Sequence, residues 1–284
     1  RLVNQLFAQK GFGFEPPFLD TLAEEYGADV RLLDFAAAPE PSRQAINGWV
    51  ERETEDRIRD LLPQDAIRTD TLAVLVNAIY FNAAWAAPFD PALTRDREFT
   101  LLDGSRIAVP TMSSGDLAVR AAQVGNVEIV ELPYDGGELS MLLLVPPAGE
   151  LATLEQQLTP ARLQEHVAAL RGEHLALSLP RFEVRTSLPL KPPLAALGLA
   201  IAFGDDADFS RMSSEVDLLV TDVVHQAFVK VNEAGTEAAA ATAVIIGPTS
   251  APTIRTIAID RPFVLVIRDH ATGALVFMGR VARP

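Results

Sequence analysis

The sequence predicts an α+β fold of large, mostly antiparallel β-sheets with helices packed on them. Three observations carry that reading. Short apolar or alternating runs separated by turn residues recur along most of the 284 residues, whereas helical periodicity is confined to a few stretches. Strands and helices intermingle without an internal repeat or a linker marked by a composition shift, so 1–284 reads as a single domain. Hydrophobic residues make up 49% and charged residues 22%, a globular balance that excludes wholesale disorder and allows a sizeable core.

In chain order, Leu2 to Gln9 is an expected strand closed by Gly11 and Gly13. Pro16 opens a short helix that ends at Gly27, since proline suits a first helical turn and glycine a position just past the last. Val30 to Phe35 alternates like an edge strand. An amphipathic helix is expected from about Pro41 to Leu62, with Ala45, Ile46, Trp49, Val50, Ile58 and Leu61 as its stripe and Pro63 as its stop. Leu72 to Phe89 is almost continuously apolar. Its length tests the membrane reading, but Asn77 and Asn82 would have to be solvated by lipid, while Val74, Val76, Ile79, Tyr80 and Phe81 favour a strand. A buried central strand is therefore expected.

Asp103-Gly104 marks a hairpin inside a run of short strands. Val127 to Leu132 and Ser140 to Val145 pair around Asp135-Gly136-Gly137, and a helix is expected over Leu151 to Leu170. Leu175 to Val184 is a strand, and Leu190 to Leu199 a helix cut short by Gly198. Val223 to Val231, Thr256 to Ile259, Phe263 to Arg268 and Ala274 to Val281 complete the strands.

The composition limits the chemistry. With 24 basic and 38 acidic residues the formal charge is −14, the opposite of the basic surface that displaces counterions from nucleic acid. No cysteine is present, which excludes a disulfide framework and thiolate zinc sites. Nucleophile-elbow, phosphate-loop and zinc-protease motifs are absent, and Gly11-Phe12-Gly13 lacks a third glycine. His166, His174, His225 and His270 have no ligand spacing, and Asp205, Asp206 and Asp208 read as a solvated turn. No enzyme, metal or cofactor is expected. The sequence opens on Arg1 without a charged-then-apolar leader, so no signal peptide is read and a start further upstream is expected.

One segment does not fit an ordinary loop. Glu233 to Ser250 reads E-A-G-T-E-A-A-A-A-T-A-V-I-I-G-P-T-S. Alanine favours a helix and low complexity a tether, yet Thr242, Val244, Ile245 and Ile246 are β-formers. As a strand, Thr236, Ala238, Ala240, Thr242, Val244 and Ile246 share one face, small at the entry and larger at the far end, while Glu237 faces water. Such a gradient suits a strand that slides between two others.

With these residues in view the chain resembles a serpin. Gly235 to Ala243 resembles the family's reactive-loop hinge, and Ile257 to Ile267 its C-terminal signature. Leu275 to Val281 resembles its final strand, V-N-A-I-Y-F with Trp85, Pro88 and Phe89 its central strand, and A-I-N-G-W-V with D-L-L-P the helix crossing the main sheet. The resemblance covers essentially the whole chain. The family's fold begins with helices ahead of the strand that Leu2 to Gln9 resembles, so the expected serpin-like domain is N-terminally incomplete.

The resemblance implies a suicide-type inhibitor of a serine or cysteine protease. The protease cleaves an exposed loop, here 233–255, and is trapped as an acyl-enzyme when the cut loop inserts into the main sheet. Thr236 to Ile246 would add about 36 Å of strand at ~3.3 Å per residue, and each recovered ladder bond is worth ~1 kcal/mol. The implied hinge comprises Glu233, Gly235, Thr236, Glu237, Ala238, Ala239, Ala240, Ala241 and Thr242. Family spacing puts the reactive bond at Thr249-Ser250, with Pro248-Thr249 and Ser250-Ala251 as neighbouring alternatives. Threonine there implies an elastase-like or subtilisin-like target protease. Asn77 and His225 are implied to sit on neighbouring strands where the sheet parts and to hydrogen-bond once the loop is inserted or the sheet otherwise rearranged, and Arg181 and Glu233 to form a clasp over Trp85 at the loop's base. A monomer is expected, secreted or extracellular, without nucleic-acid or membrane partners. The alternative is a non-inhibitory carrier or chaperone, or an inactive fragment; small residues at Ala238 to Ala241 favour the inhibitor.

Overall fold

The computed structural model describes residues 2–26, 30–220, 223–236 and 254–284. The chain divides into two compact units, Arg1–Phe81 with Arg185–Phe228, and Asn82–Val184 with Val229–Pro284.

The first unit opens with β1 (Leu2–Gln9), α1 (Pro16–Tyr26), β2 (Val30–Leu33), α2 (Pro39–Glu53) and β3 (Ala73–Tyr80). β1 pairs parallel with β2 and antiparallel with β3, so β2 is the edge that its short alternating run predicts. α2 lays Ile46, Trp49 and Val50 against Phe7, Val76, Ala78 and Tyr80. Each such side chain withdrawn from water contributes ~1.5–3 kcal/mol. Phe7 meets Trp49 edge to face at 5.4 Å.

The expected helix to Leu62 is corrected: α2 ends at Glu53. Thr54 Oγ1 donates to the Val50 carbonyl at 2.8 Å and accepts the Ile58 amide at 3.1 Å, while Glu55 and Asp56 adopt φ of 51° and 62°. The chain then folds back along α2, where Asn47 exchanges two hydrogen bonds with the backbone of Leu62 at 2.9 and 3.0 Å. Ile58 and Leu61 stay buried without being helical.

The second unit contains β4 (Ala83–Ala84), β5 (Arg95–Thr100), β6 (Arg106–Val124), β7 (Val127–Pro133), β8 (Leu139–Val145), α3 (Leu151–Gln157), α4 (Pro160–Ala169) and β9 (Arg171–Pro180). β10 (Phe182–Pro189) and β11 (Val224–Asn232) each have residues in both units, and β12 (Gly235–Thr236), β13 (Arg255–Ala258), β14 (Phe263–Asp269) and β15 (Leu275–Val281) complete the order. One sheet runs β13-β9-β6-β7-β8-β14-β15, with β5 paired to β6. The hairpin at Asp103-Gly104 is present, Thr100 facing Arg106. The ladders are mostly antiparallel, but β1–β2, β3–β11 and β9–β13 are parallel, so the sheets are mixed. Ile129, Leu142, Leu144 and Val266 are fully buried in a core that α3 and α4 cover with Leu151, Leu154 and Leu163.

Three further expectations change. The helix over Leu151 to Leu170 is two, because Thr159 caps a new one by accepting the Arg162 amide at 3.2 Å ahead of Pro160. The strand expected from Leu175 to Val184 is instead β9, starting at Arg171, and a separate β10. The helix expected over Leu190 to Leu199 is a single turn, Lys191–Leu194, followed by a wider turn in which Gly198 takes φ 106°. Among the described residues no helix is long and apolar enough to cross a membrane.

Candidate functional site

The site is the turn joining β11 to β12, in the second unit. β11 ends at Asn232, whose Oδ1 accepts the Ala234 amide at 3.0 Å and so shapes the turn through Glu233 and Ala234. β12 then enters antiparallel between two strands: Thr236 faces Val231 of β11 and Ala83 of β4, and Gly235 faces Asn232 and Ala84. Gly235 has φ 151°, and a Cβ on it would lie 2.2 Å from the Ala83 carbonyl oxygen, so only glycine fits.

Thr236 is fully buried, and its hydroxyl lies 2.7 Å from the Tyr134 hydroxyl. Burial pushes the Tyr134 phenol far above its ordinary value, keeping it neutral. Tyr134 stacks on Trp85 with ring centroids 4.7 Å apart and planes 9° from parallel. Trp85 in turn binds the turn backbone, giving Nε1–H to the Asn232 carbonyl at 3.0 Å and its amide to the Ala234 carbonyl at 2.9 Å.

Glu233 is buried at the head of this arrangement. Arg181 Nε lies 2.8 and 3.0 Å from its two carboxylate oxygens, Arg181 Nη2 lies 2.6 Å from Oε1, and the Thr94 hydroxyl donates to Oε1. Burial alone would raise the Glu233 pKa; the bonds from Arg181 and Thr94 outweigh it and hold the carboxyl below its ordinary range. The residues named as a clasp, Arg181, Glu233 and Trp85, thus converge on one turn. Lys230 and Glu183 lie 3.3 Å apart nearby, both half exposed; such a pair is worth ~0–1 kcal/mol.

In the first unit, Asn77 and His225 are register partners on β3 and β11, and His225 Nδ1 lies 3.0 Å from Asn77 Oδ1. Asn77 Nδ2 donates to Asn4 Oδ1 at 2.7 Å, which fixes the amide's orientation and makes His225 Nδ1 the donor to Oδ1. Burial holds the His225 ring below its ordinary pKa, favouring that neutral form. The result is a polar chain across three strands.

Glu237, Ala238, Ala239, Ala240, Ala241, Thr242, Thr249 and Ser250 lie outside the described residues. Sequence reasoning missed Thr94, Tyr134 and Asn4, whose roles come from long-range contacts that leave no local pattern. Asn232 did carry a signal, since asparagine just ahead of a turn commonly accepts a backbone amide two residues on. Among the described residues no group of three histidine, aspartate or glutamate side chains could hold a metal ion.

A family model described as Serpin (serine protease inhibitor) matches residues 1–284. Antithrombin-III of Mus musculus is 40% identical over 289 residues, covering 99% of this chain but 62% of its own length. The leukocyte elastase inhibitor of Sus scrofa is 38% identical over 292 residues, 100% of this chain and 77% of its own. Among solved structures, thyroxine-binding globulin in complex with thyroxine superposes with a TM-score of 0.89 at 28% identity, over 100% of this chain and 75% of that one. Uncleaved ovalbumin gives 0.88 at 29% identity, over 100% and 73%.

Proposed function

The chain belongs to the serpin family, and from that premise we propose that it inhibits a serine protease by offering its loop as substrate and inserting the cleaved loop as a strand. Loop insertion is a known instance of strand addition driven by stored strain. The observation that carries the reading is β12. Gly235 and Thr236 are already laddered on both sides, between β11 and β4, with Thr236 fully buried. The first step of an inserted strand is therefore in place, and after Glu237 the small residues Ala238 to Thr242 follow it in sequence.

β11 is the shared partner. Its end pairs with β12, while His225–Phe228 at its start pair with Asn77–Tyr80 of β3. A strand that lengthens β12 along β11 runs towards lower residue numbers of β11, so it meets the Phe228–Tyr80 pairing first and His225–Asn77 last of the four. Each residue inserted then gains ladder bonds to both neighbours, at ~1 kcal/mol net per bond. Intact, the loop cannot follow, because its far end is anchored at β13, where Arg255 binds Glu128 and reaches Glu173 at 3.1 Å.

The target on this reading is an elastase-like or subtilisin-like enzyme that accepts threonine at the cleaved bond. Similarity to a leukocyte elastase inhibitor supports that class. The carrier reading draws on similarity to a thyroxine-binding globulin. One experiment separates them: incubation with pancreatic elastase or subtilisin, followed by boiling in SDS. A covalent complex of the summed mass supports the inhibitor; clean cleavage without a complex refutes it.

A further inference from the structure

His166 lies in the last turn of α4, and its spacing puts it on the face that enters the core. Leu163 is three residues before it and Leu170 four after, and both are buried in the core beneath α3 and α4. His166 itself is 1% exposed. The position suits an apolar ring, yet the ring that fills it carries two nitrogens. Both Nδ1 and Nε2 are buried without a hydrogen-bond partner among the described residues. Buried polar atoms are normally paired, so a histidine that leaves its one donor and its one acceptor unmet calls for an explanation.

The charged groups of the surrounding elements are engaged elsewhere. On α4 itself, Arg162 and Glu165 pair at 2.7 Å, both partly exposed. On α3, Glu150 accepts from Asn126 at 2.7 Å, and Glu155 lies 3.4 Å from Arg280 of β15. Glu131 shares a face of β7 with Val127 and Ile129, and is held by Arg120 of β6 at 2.6 Å and Arg268 of β14 at 2.7 Å. His270 Nε2 beside it lies 2.8 Å from Ser140 Oγ. Arg171, at the start of β9, donates to the Ala168 and Leu170 carbonyls at 2.8 Å. None of these groups bonds the His166 ring.

Protonating the ring in place would therefore bury a cation with no partner. Burial, and after it the Arg162 charge, holds the His166 pKa below its ordinary value of 6.5; the Glu165 charge opposes them without reversing the direction. The ring gains its proton readily only where water reaches it, and that requires α4 to leave the sheet.

We propose that His166 is an acid-sensitive latch for α4: the neutral ring lets the helix lie on the sheet, and protonation releases the helix and uncovers Leu163, Leu170 and the strands beneath. The proposal does not depend on the inhibitory reading, since α4 shares no residue with the turn between β11 and β12. The sign follows from linkage. With the folded-state pKa below the unfolded one, α4 is held fully above about pH 6.5, and the hold weakens as pH falls towards the lowered native value. The slope is at most one proton, or about tenfold in the opening equilibrium per pH unit.

Hydrogen exchange on the whole chain between about pH 8 and 5, corrected for intrinsic rates, reads this opening at the Val167 and Ala168 amides. The comparison is with His166→Phe, which keeps a ring and removes both nitrogens, and with the smaller His166→Leu. The ratio of opening constants, wild type over either variant, should rise by up to roughly tenfold for each pH unit below 6.5. Proton NMR of the wild-type His166 ring gives a reading that needs no variant, and its midpoint should fall below 6.5. A ratio that does not change with pH, or a ring that titrates at 6.5 or above, overturns the proposal.

Discussion

Reversing the charge at Glu233 tests the clasp most directly. In Glu233→Lys an ammonium faces Arg181 where a carboxylate now accepts bonds of 2.6 to 3.0 Å. Breaking a fully buried pair by removing one partner costs ~3–5 kcal/mol, and an exposed pair is worth ~0–1 kcal/mol. Here the Glu233 side chain is 8% exposed and that of Arg181 45%, so the released guanidinium can turn to water. The expected cost is intermediate, ~2 kcal/mol, or roughly 4–8 °C in Tm for a chain of this size. The backbone bonds from Phe89 and Trp85 to Glu233 and Ala234 remain, so folding survives while the turn loosens. A loosened slot accepts the loop of a second molecule. Native gels after graded warming should show polymers of Glu233→Lys at temperatures the wild type withstands, with Glu233→Gln in between. A Glu233→Lys protein that stays monomeric through the same heating refutes the clasp and leaves two surface charges. Acid should mimic the mutation: because the Glu233 carboxyl is held below its ordinary value of 4.5, the clasp is complete above that pH and is lost as the pH falls through the lowered value.

On the proposed inhibitory function, Thr236→Arg should make the chain a substrate of its protease, because a guanidinium forced into a fully buried position slows insertion and lets the protease deacylate; wild-type complex yields on SDS gels would rule this out. Gly235→Ala should expel β12, since the new Cβ meets backbone atoms at 2.2 to 2.9 Å, a clash of ~1–3 kcal/mol; unchanged amide protection at Thr236 by hydrogen exchange would contradict it. Mass spectrometry of the peptide released by elastase should give an N-terminus at Ser250, and a start elsewhere removes the assigned bond. For His225 the folded state favours the neutral ring, so stability is full above about pH 6.5 and declines as pH falls towards the lowered native value. Melts between pH 8 and 5 should therefore show the wild type losing more than His225→Gln, and parallel curves would remove this histidine from the account.

Where one physical signal decides an element, it was legible. β1, α1, β7, β8 and β14 follow from apolar runs and from proline and glycine punctuation. The end of α2 was not legible, because Ile58 and Leu61 keep a helical spacing while being buried by a chain that doubles back through Thr54 and Asn47. Apolar periodicity reports which residues are buried, and two backbone paths can bury the same ones. Of the small-residue hinge only Gly235 and Thr236 lie among the described residues, and there the close approach of Ala83 that demands glycine is a local property. The clasp, and the meeting of Asn77 with His225, were reached only through family resemblance, because partners like Arg181 and Glu233 are brought together by the sheet.

The position of β14 has a consequence for how the protein is made. β14 lies between β8 and β15, and Phe263, Val264, Leu265, Val266 and Ile267 are all buried there. More than a hundred residues separate β8 from β14 along the chain. While the ribosome is still adding those residues, at ~5–20 per second, β8 presents Leu142, Leu143 and Leu144 on an unpaired edge, the kind of surface that templates aggregation. The β8 edge therefore stays open for ~6–25 s at that rate, whereas the hinge precedes the end of β14 by only a few tens of residues and shares the nascent chain with that open edge for ~1–5 s.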